Sequence, residues 1–472
     1  MSAPRPSHSC CSGYTRSQLL RSAAAEAGKG LPAIEPGMPE PAGTGLSRRK
    51  FLSRGAGLAL AVYGASKIPL SAFETGIAQA AQGDKILVSV FFDGGVDALS
   101  VLAPVGDSRY QQLRPNLALP PGAGTAFGED PSLQWHPAAT ALATLHSEGK
   151  VSAFPAIGYD HPDQSHFTSR HYYEIGELQV GYRTGWLGRY LDAVGDDENP
   201  LQGLSLDGSL SPMIATADKP VAAIDSVDGY DLWSRVSDPI EEEMFRSFAR
   251  FGSLPADSPG LAQVRRAASQ TDKLRQDLAG VGEFSSPVAY PDTWFSHKLA
   301  GLAAYIAVGL PIRVVTIRAP GGYDTHADQA GDLEDNLRET CEGILAFQRD
   351  LEARGLADRV MVEMWSEFGR RPEENGSLGT DHGAAGCAFV IGSQAKGEMV
   401  GEFPGLATLD EDDNLRATSD FRAMYCSLLE QWLEFDAEAI IPGASGFARA
   451  GSRSKAPSTT SSSPGPPSKP ER

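Results

Sequence analysis

The chain has 472 residues, 41 of them basic and 60 acidic, a length sufficient for one large α/β domain or two smaller ones. Residues 81–472 keep 32 basic and 56 acidic side chains, and this net charge of −24 disfavours binding to nucleic acid or to an anionic membrane surface. Three cysteines follow residue 80 without CxxC spacing, which excludes a disulfide-based scaffold.

The N-terminal region has the features of a bacterial export signal. The motif Ser47–Leu52 (SRRKFL) is of the kind read by the twin-arginine translocon. A mildly apolar stretch at 55–73 and a small-x-small cleavage site at Ala78–Ala80 follow it. The stretch is short and interrupted, whereas a membrane span needs about 20 apolar residues. We therefore expect a signal peptide at 47–80, export through the translocon to the periplasm or the medium, and no stable membrane anchor.

The two ends of the chain are predicted to be disordered. Residues 1–46 are rich in Pro, Gly, Ser and Ala, and Met38 is interpreted as the true start because it leaves an n-region of ordinary length. Residues 451–472 form a Ser/Pro-rich tail. The folded domain is therefore predicted to span 81–450.

The first half of this domain begins with two strands that the sequence marks as buried. Asp84 to Phe92 is a near-continuous apolar run, typical of a strand buried on both faces, and a Gly-rich loop follows it. Helical spacing over Pro137 to Ser147 precedes a second apolar run at Val151 to Ile157. A helix is predicted near Ser165 to Glu177.

The middle of the chain, roughly 200–290, is predicted to be an inserted cap. Short strands are indicated at Leu204–Leu206 and Val221–Ile224. Amphipathic surface helices are indicated at Glu241–Phe251 and Leu261–Leu278.

Helices and strands alternate again after the cap. The predicted helices are Thr293–Val308, Asp332–Arg354 and Phe421–Phe435, and the predicted strands are Ile312–Ile317, Arg359–Trp365 and Ala388–Ile391. This alternation predicts an α/β fold with a mainly parallel central sheet and helices on both faces.

Polar clusters follow several of these strands, at the edge where open α/β sheets bind ligands. Asp93 and Asp97 come directly after the first strand. Glycines beside them permit a tight turn that presents a carboxylate to a cation. A plain turn explains the same residues, because Asp and Gly both favour turns.

Two later clusters combine Asp with His. Asp324 and His326 are two residues apart, so in an extended segment they point the same way and can share a zinc or manganese ion. A helix cap beside an ordinary histidine is the alternative. Asp381 and His382 are adjacent and lie between Gly379 and Gly383, which permit a turn that brings both side chains to one centre.

The remaining cluster contains Ser165, at the start of a predicted helix. A helix N-terminus stabilises an anion or an activated hydroxyl, which makes Ser165 a candidate nucleophile. A simple N-cap is the other explanation for a serine at this position.

The order of these clusters resembles the alkaline phosphatase superfamily, which includes phosphatases, sulfatases and metal-dependent phosphoglycerate mutases. More closely, the chain resembles the twin-arginine-exported bacterial family called domain of unknown function 1501. The stretches that carry the resemblance are Phe92–Leu99, Ser165–Phe167, Gly185–Arg189, Tyr323–Gln329 and Ser366–Gly383.

The superfamily resemblance implies a two-metal site with a hydroxyl nucleophile. It assigns Ser165 as the nucleophile and either Asp93 or Asp97 as the first metal carboxylate. Arg370 or Arg371 would hold the tetrahedral anion of a small ester substrate. The resemblance gives Asp324 and His326 to one divalent metal (zinc, manganese, magnesium or calcium) and Asp381 and His382 to the other.

The sequence departs from the superfamily pattern in two respects. No histidine follows His382, where phosphatases of this class supply one more, and the sulfatase signature Cys-x-Pro-x-Arg is absent. The residues left open to complete the metal shell are His136, His161, His166, His171 and Glu367.

Three functions are compatible with these observations. The first is an exported metal-dependent hydrolase of phosphate or sulfate esters, and the second is a non-catalytic binding or assembly protein on the same fold. An oxidoreductase is the weakest of the three, because no strand is followed by GxGxxG and no CxxCH is present.

Overall fold

The computed structural model describes residues 85–179, 181–197, 199–228, 238–279 and 285–450. The predicted N-terminal extension, signal peptide and C-terminal tail lie outside these residues. The strands are β1 (Ile86–Phe91), β2 (Leu102–Ala103), β3 (Thr125–Ala126), β4 (Gln134–Trp135), β5 (Val151–Gly158), β6 (Gly203–Ser205), β7 (Ala222–Ala223), β8 (Val314–Arg318), β9 (Val360–Trp365), β10 (Arg370–Glu374), β11 (Thr380–His382), β12 (Gly386–Ile391) and β13 (Ser419–Asp420).

Eight of these strands form one sheet in the order β13-β5-β12-β9-β1-β8-β6-β7. β1 lies near the middle and pairs in parallel with β8 and β9. Among the described strands of this sheet, β12 alone runs antiparallel to its neighbours. The α/β class and the mainly parallel sheet predicted from the sequence are therefore confirmed.

The apolar runs of the sequence become strands because the sheet is covered on both faces. All six residues of β1 and all six of β9 are buried. A strand buried on both faces needs apolar side chains at every position rather than at alternate ones.

Helices occupy both faces of the sheet. They are α1 (Ala98–Val101), α2 (Ser108–Leu113), α3 (Thr140–Ser147), α4 (His166–Ile175), α5 (Trp186–Val194), α6 (Asp238–Gly252), α7 (Pro259–Ala279), α8 (Trp294–Ala307), α9 (Gln329–Ala353) and α10 (Phe421–Ser427). One face packs against α3, α8 and α9, and the other packs against α4, α5 and α10.

The region predicted as a cap is smaller than expected. β6 and β7 are part of the central sheet, because β6 pairs in parallel with β8 and with β7. Among the described residues of this region, α6 and α7 pack on each other as a helical pair, and they are not purely surface helices. Phe245 of α6 and Leu274 of α7 are buried in the main hydrophobic core.

Two further details differ from the sequence prediction. The closing helix predicted over Phe421 to Phe435 is α10 followed by a π-helical turn at Leu428–Trp432. The segment around Asp381 is the strand β11, paired with β10, rather than a turn. Among the described helices, none has the length and apolar character needed to cross a lipid bilayer.

Candidate metal centre

The candidate site lies beyond the carboxyl ends of the parallel strands. The loop at 319–328 follows β8, the segment at 366–369 follows β9, and α4 begins after the loop that leaves β5. The hairpin of β10 and β11 folds back onto this edge. Parallel strands end at the same edge of a sheet, so side chains distant in sequence converge there.

The loop after β1 holds the site together through its backbone. Gly94 and Gly95 have φ values of +120° and +77°, which residues with a Cβ rarely adopt. Their N–H groups donate to the buried carboxylate of Glu367, at 3.1 Å to Oε1 and 3.0 Å to Oε2. A Cβ at Gly94 would lie 2.3 Å from the backbone nitrogen of Asp324, so glycine is required for the two loops to touch.

Three imidazoles converge on one carboxylate oxygen of Asp324. The Nε2 atoms of His326, His382 and His166 lie 3.0, 3.3 and 3.4 Å from Asp324 Oδ1. The Nε2 atoms of His326 and His382 are themselves 3.0 Å apart. The donor atoms of His166, Asp324 and His382 all lie within 4.8 Å of one another, a spacing that one metal ion could bridge.

Each of these imidazoles is fixed through its other ring nitrogen. The Nδ1 contacts are 2.8 Å from His166 to Glu367 Oε1, 2.8 Å from His382 to the carbonyl of Gln164, and 3.2 Å from His326 to Asp381 Oδ1. A proton on each Nδ1 leaves Nε2 with its lone pair, the arrangement that carboxylates and carbonyls impose on metal-binding histidines.

The electrostatics of the site favour a cation. Burial alone would raise the pKa of Asp324, but hydrogen bonds from the three imidazoles and from Arg370 hold it well below its ordinary value. Burial opposes protonation of His166, yet hydrogen bonds with Asp324 and Glu367 raise its pKa to about 9. The hydrogen bond with Asp324 likewise raises the pKa of His326. The potential that draws protons here also draws a metal ion.

Asp97, predicted as a metal ligand, lies elsewhere. Its carboxylate is fully buried and paired with Arg114, at 2.5 Å from Nη1 to Oδ2 and 2.9 Å from Nη2 to Oδ1. Ser100 and Gln329 donate to the same carboxylate at 2.5 and 2.6 Å. The structure therefore does not support a metal-binding role, because these donors already surround Asp97.

Asp93, the other predicted ligand after β1, contacts two arginines. Its Oδ2 accepts a hydrogen bond from Arg318 at 3.2 Å, and its Oδ1 lies 3.9 Å from Arg170. Among the described contacts, the structure does not bring Asp93 together with Asp324 or the histidines. Among the described contacts, neither of the carboxylates predicted after β1 therefore joins the imidazoles.

Asp381 and His382 both lie at the candidate centre, but they make different contacts there. In β11 their side chains point to opposite sides of the strand. His382 contributes Nε2 to the cluster, whereas Asp381 holds Nδ1 of His326 and accepts a hydrogen bond from Asn375 at 3.1 Å. Asp381 is therefore placed as a positioning residue rather than as a ligand.

Arg370 is not placed to hold a substrate anion. Its guanidinium is fully buried, donating from Nε to Gly95 O at 2.8 Å and from Nη1 to Thr380 O at 3.0 Å. Nη2 contacts Asp324 Oδ1 at 2.7 Å and also the carbonyl of Gly94. Arg370 instead links the loop after β1, the loop after β8 and strand β11, and it fixes the Asp324 carboxylate.

Ser165 lies at the N-cap of α4, directly before His166. Its side chain makes no capping hydrogen bond, although a serine at this position usually does. Its role as a nucleophile stays a prediction, and the structure adds that its hydroxyl is not committed to the helix.

Sequence reasoning left the third imidazole open among several residues, and the structure selects His166. The signal was its position in the first turn of the helix after β5, at the same edge as the other clusters. Glu367, also left open, supports His166 instead of joining the cluster. The backbone carbonyl of Gln164, which holds His382, could not be identified from the sequence, because every residue has a backbone carbonyl.

Solved structures similar to this chain come from several bacteria. One is the PsFucS1 sulfatase from Pseudoalteromonas sp., with 10% identity, 82% of this chain and 74% of that chain covered, and a TM-score of 0.32. Another is a protein in the alkaline phosphatase superfamily from Vibrio parahaemolyticus, with 8% identity, 80% of each chain covered and a TM-score of 0.32. The soluble domain of lipooligosaccharide phosphoethanolamine transferase A from Neisseria meningitidis has 10% identity, coverage of 81% and 96%, and a TM-score of 0.35.

No curated protein sequence matches this chain significantly. One family does match, over residues 158–431. This range includes all four residues of the imidazole–carboxylate cluster, which are His166, Asp324, His326 and His382. The match also spans more than half of the chain. The chain therefore belongs to the family described as protein of unknown function (DUF1501).

Proposed function

We propose that this protein is an exported metal-dependent hydrolase of phosphate or sulfate esters. The observation that carries the proposal is the convergence of three imidazole Nε2 atoms on one oxygen of Asp324. Imidazole nitrogens and a carboxylate oxygen are the ligand types of divalent metals such as zinc, and each ring is held by an acceptor at Nδ1. The ester class follows from the motif order, which resembles that of phosphatases and sulfatases.

The residues fit a metal ion in spacing and in chemistry. Donors held at about 2.1 Å from one ion in a tetrahedron lie about 3.4 Å from each other. The observed separations from Asp324 Oδ1 are 3.0 to 3.4 Å. Among the described residues, the donor set that lies within 4.8 Å throughout is His166, Asp324 and His382. Two imidazoles and one carboxylate suit zinc or manganese better than magnesium or calcium, which prefer oxygen ligands.

A bound divalent ion would supply Lewis acidity and lower the pKa of an oxygen nucleophile. The protein's own residues orient the site for this chemistry. Glu367 holds the Nδ1 proton of His166, and Arg370 fixes the Asp324 carboxylate from the protein side. Ser165, beside His166, is the proposed nucleophile, because its hydroxyl is free of the helix cap.

A second candidate function is a non-catalytic exported binding or assembly protein. One observation favours it: Asp93 and Asp97, either of which was predicted to be the first metal carboxylate, contact arginines instead. A centre with a single metal suits ligand binding as well as catalysis.

Elemental analysis of the purified protein tests the proposal, together with turnover on panels of phosphate and sulfate esters. We expect a stoichiometric divalent metal in the wild type, lost in His382→Ala and retained in the control His171→Ala, which changes a histidine of α4 outside the cluster. Ester turnover should be lost in parallel with the metal. Absence of metal from the folded wild type would overturn the metal site. Bound metal with no turnover on any ester would favour the binding function.

A further inference from the structure

A polar pocket lies beside the candidate metal centre, on the face of the sheet that packs against α4 and α5. Its volume is about 220 Å³. The ends of β1 and β8, one side of α4 and the segment at 209–213 enclose it. Pockets for drug-sized ligands begin at about 300 Å³, so this one suits a small molecule.

The floor of the pocket carries hydroxyl groups inside an otherwise apolar face. Ser89 and Thr316 are paired in register on β1 and β8, and both line the cavity. Thr316 is 4% exposed, and its Oγ1 has no hydrogen-bond partner among the described residues. A buried hydroxyl without a partner is unfavourable, so this atom is placed to bond with something that enters the pocket.

The walls combine hydrogen-bond donors with acceptors. Arg170 donates to Glu174 through Nε at 2.8 Å, and among the described residues this is the only hydrogen bond of its guanidinium. Asp207 accepts from the backbone N–H of Arg318 at 3.0 Å through one carboxylate oxygen. Arg170 and Arg318 therefore keep side-chain N–H donors for a ligand, and Glu174 and Asp207 keep acceptor oxygens for it.

The charges of the pocket cancel. Arg170 and Arg318 are matched by Glu174 and Asp207 on the walls. Asp93 is not one of the residues that line the pocket, but it also contacts both arginines, at 3.2 Å from Arg318 and 3.9 Å from Arg170. A free anion would find its arginines already neutralised, whereas a ligand that both donates and accepts hydrogen bonds would satisfy each group.

We propose that this pocket binds a small neutral polyhydroxylated ligand, a monosaccharide ring or a sugar alcohol. Its hydroxyls would donate to Glu174 and Asp207 and accept from Arg170 and Arg318. The innermost hydroxyl would pair with Thr316. Alternating donors and acceptors of this kind are what a polyol presents around its carbon skeleton.

The pocket is adjacent to the metal centre along α4. Arg170 lies four residues after His166, so the two side chains share one face of that helix. A sugar in the pocket would therefore sit next to the proposed ester-hydrolysing site, as the alcohol part of an ester. This placement rests on the proposed function, whereas binding of the free polyol does not.

Calorimetric titration of the full chain with a panel of neutral monosaccharides and sugar alcohols tests the proposal. A chelator is present throughout, so the result does not depend on metal or turnover. We expect at least one member to bind, and we expect Thr316→Val to weaken that binding about tenfold through loss of one buried hydrogen bond. The matched control is Thr271→Val, which changes a buried threonine of α7 away from the pocket and should leave binding unchanged.

Asp207→Asn is a second variant that keeps its side-chain size, and it should weaken binding by a similar factor. His382→Ala should bind the polyol as the wild type does, which separates this site from the metal centre. Failure of every polyol to bind would overturn the proposal, as would equal effects of Thr316→Val and Thr271→Val. Binding of inorganic sulfate or phosphate alone, lost in Arg170→Gln, would also overturn it and assign an anion site instead.

Discussion

Asp324 is the residue on which the candidate metal centre depends. It is partly exposed, yet one of its oxygens is approached by three imidazoles and a guanidinium. A carboxylate oxygen cannot accept full hydrogen bonds from four donors at once. The arrangement is therefore better satisfied when the imidazoles present lone pairs to a shared cation.

Glu367 should tune metal affinity without contacting the metal. The change Glu367→Gln keeps the size of the side chain but removes the charge that polarises Nδ1 of His166. Loss of such a supporting carboxylate typically weakens metal binding about 10- to 100-fold. Competition with a chelator of known affinity measures this effect. Glu373→Gln, an exposed change on β10, is the control and should leave affinity unchanged, and equal affinities in all three proteins would contradict the positioning role.

Glu363 should make the stability of the protein fall as pH rises. It is fully buried on β9, beside the hydroxyl of Ser89. Burial raises its pKa from 4.5 to about 8, and Ser89 opposes this only in part. Tyr425, which faces it, stays neutral in this range because burial raises the pKa of that phenol as well.

The sign follows from which state holds the proton. Between pH 4.5 and about 8 the unfolded chain loses this proton while the folded chain keeps it, so stability declines with rising pH across that window. Glu363→Gln removes the titrating group, and its free energy of unfolding should decline less over the same range. Urea denaturation at several pH values measures the difference. A variant whose pH dependence matches that of the wild type would contradict this account.

Helix α5 packs closely against the backbone of a neighbouring segment, and Gly188 is at the contact. A Cβ at Gly188 would lie 1.9 Å from the carbonyl oxygen of Ala215, directly after the turn at Pro212–Ile214. The residues just before and within that turn line the polar pocket. The packing of α5 therefore fixes one wall of the proposed binding site.

The change Gly188→Ala should destabilise the protein by about 1–3 kcal/mol, because it forces α5 away from the neighbouring backbone. Gly331→Ala in α9 is the matched control, since nothing lies within 4 Å of the added methyl group. That control should be neutral or stabilise by up to about 1 kcal/mol, as alanine favours helix. Chemical denaturation of both variants checks the contrast, and similar effects of the two changes would show that close approach is not the cause.

At the scale of elements, the sequence predicted most helices and strands to within a few residues. Apolar runs were sufficient for β1, β5 and β9, because strands buried on both faces exclude polar residues. The antiparallel direction of β12 and the hairpin of β10 and β11 were not predictable. Both depend on which distant strand supplies the hydrogen bonds, and local patterns do not record that partner.

At the scale of the whole molecule, the chain after residue 80 is acidic. Its proposed function is outside the cytoplasm. The twin-arginine motif predicts that the chain crosses the membrane already folded, which would let metal enter the site in the cytoplasm. This link between folding, metal loading and export remains a proposal.

Replacing Arg48 and Arg49 together with lysine should block export, because the translocon reads the arginine pair. Cell fractionation with antibody detection measures the periplasmic and secreted share of the protein. The control is Arg54→Lys, which lies after Met38 within the predicted signal, keeps the same charge and leaves the motif Ser47–Leu52 intact. Undiminished export of the first variant would contradict the twin-arginine assignment.

The sequence by itself determined the fold class, the edge of the sheet that carries polar clusters, and three residues of the imidazole–carboxylate cluster. These follow from local patterns, since strand ends and Asp-x-His spacing are visible along the chain. Tertiary structure alone decided that Asp97 pairs with Arg114 and that Arg370 binds loop carbonyls. It also brought His166 to Asp324 and opened the pocket above Thr316. Those outcomes depend on contacts between residues far apart in sequence, and the side chains alone do not record which partner each will meet.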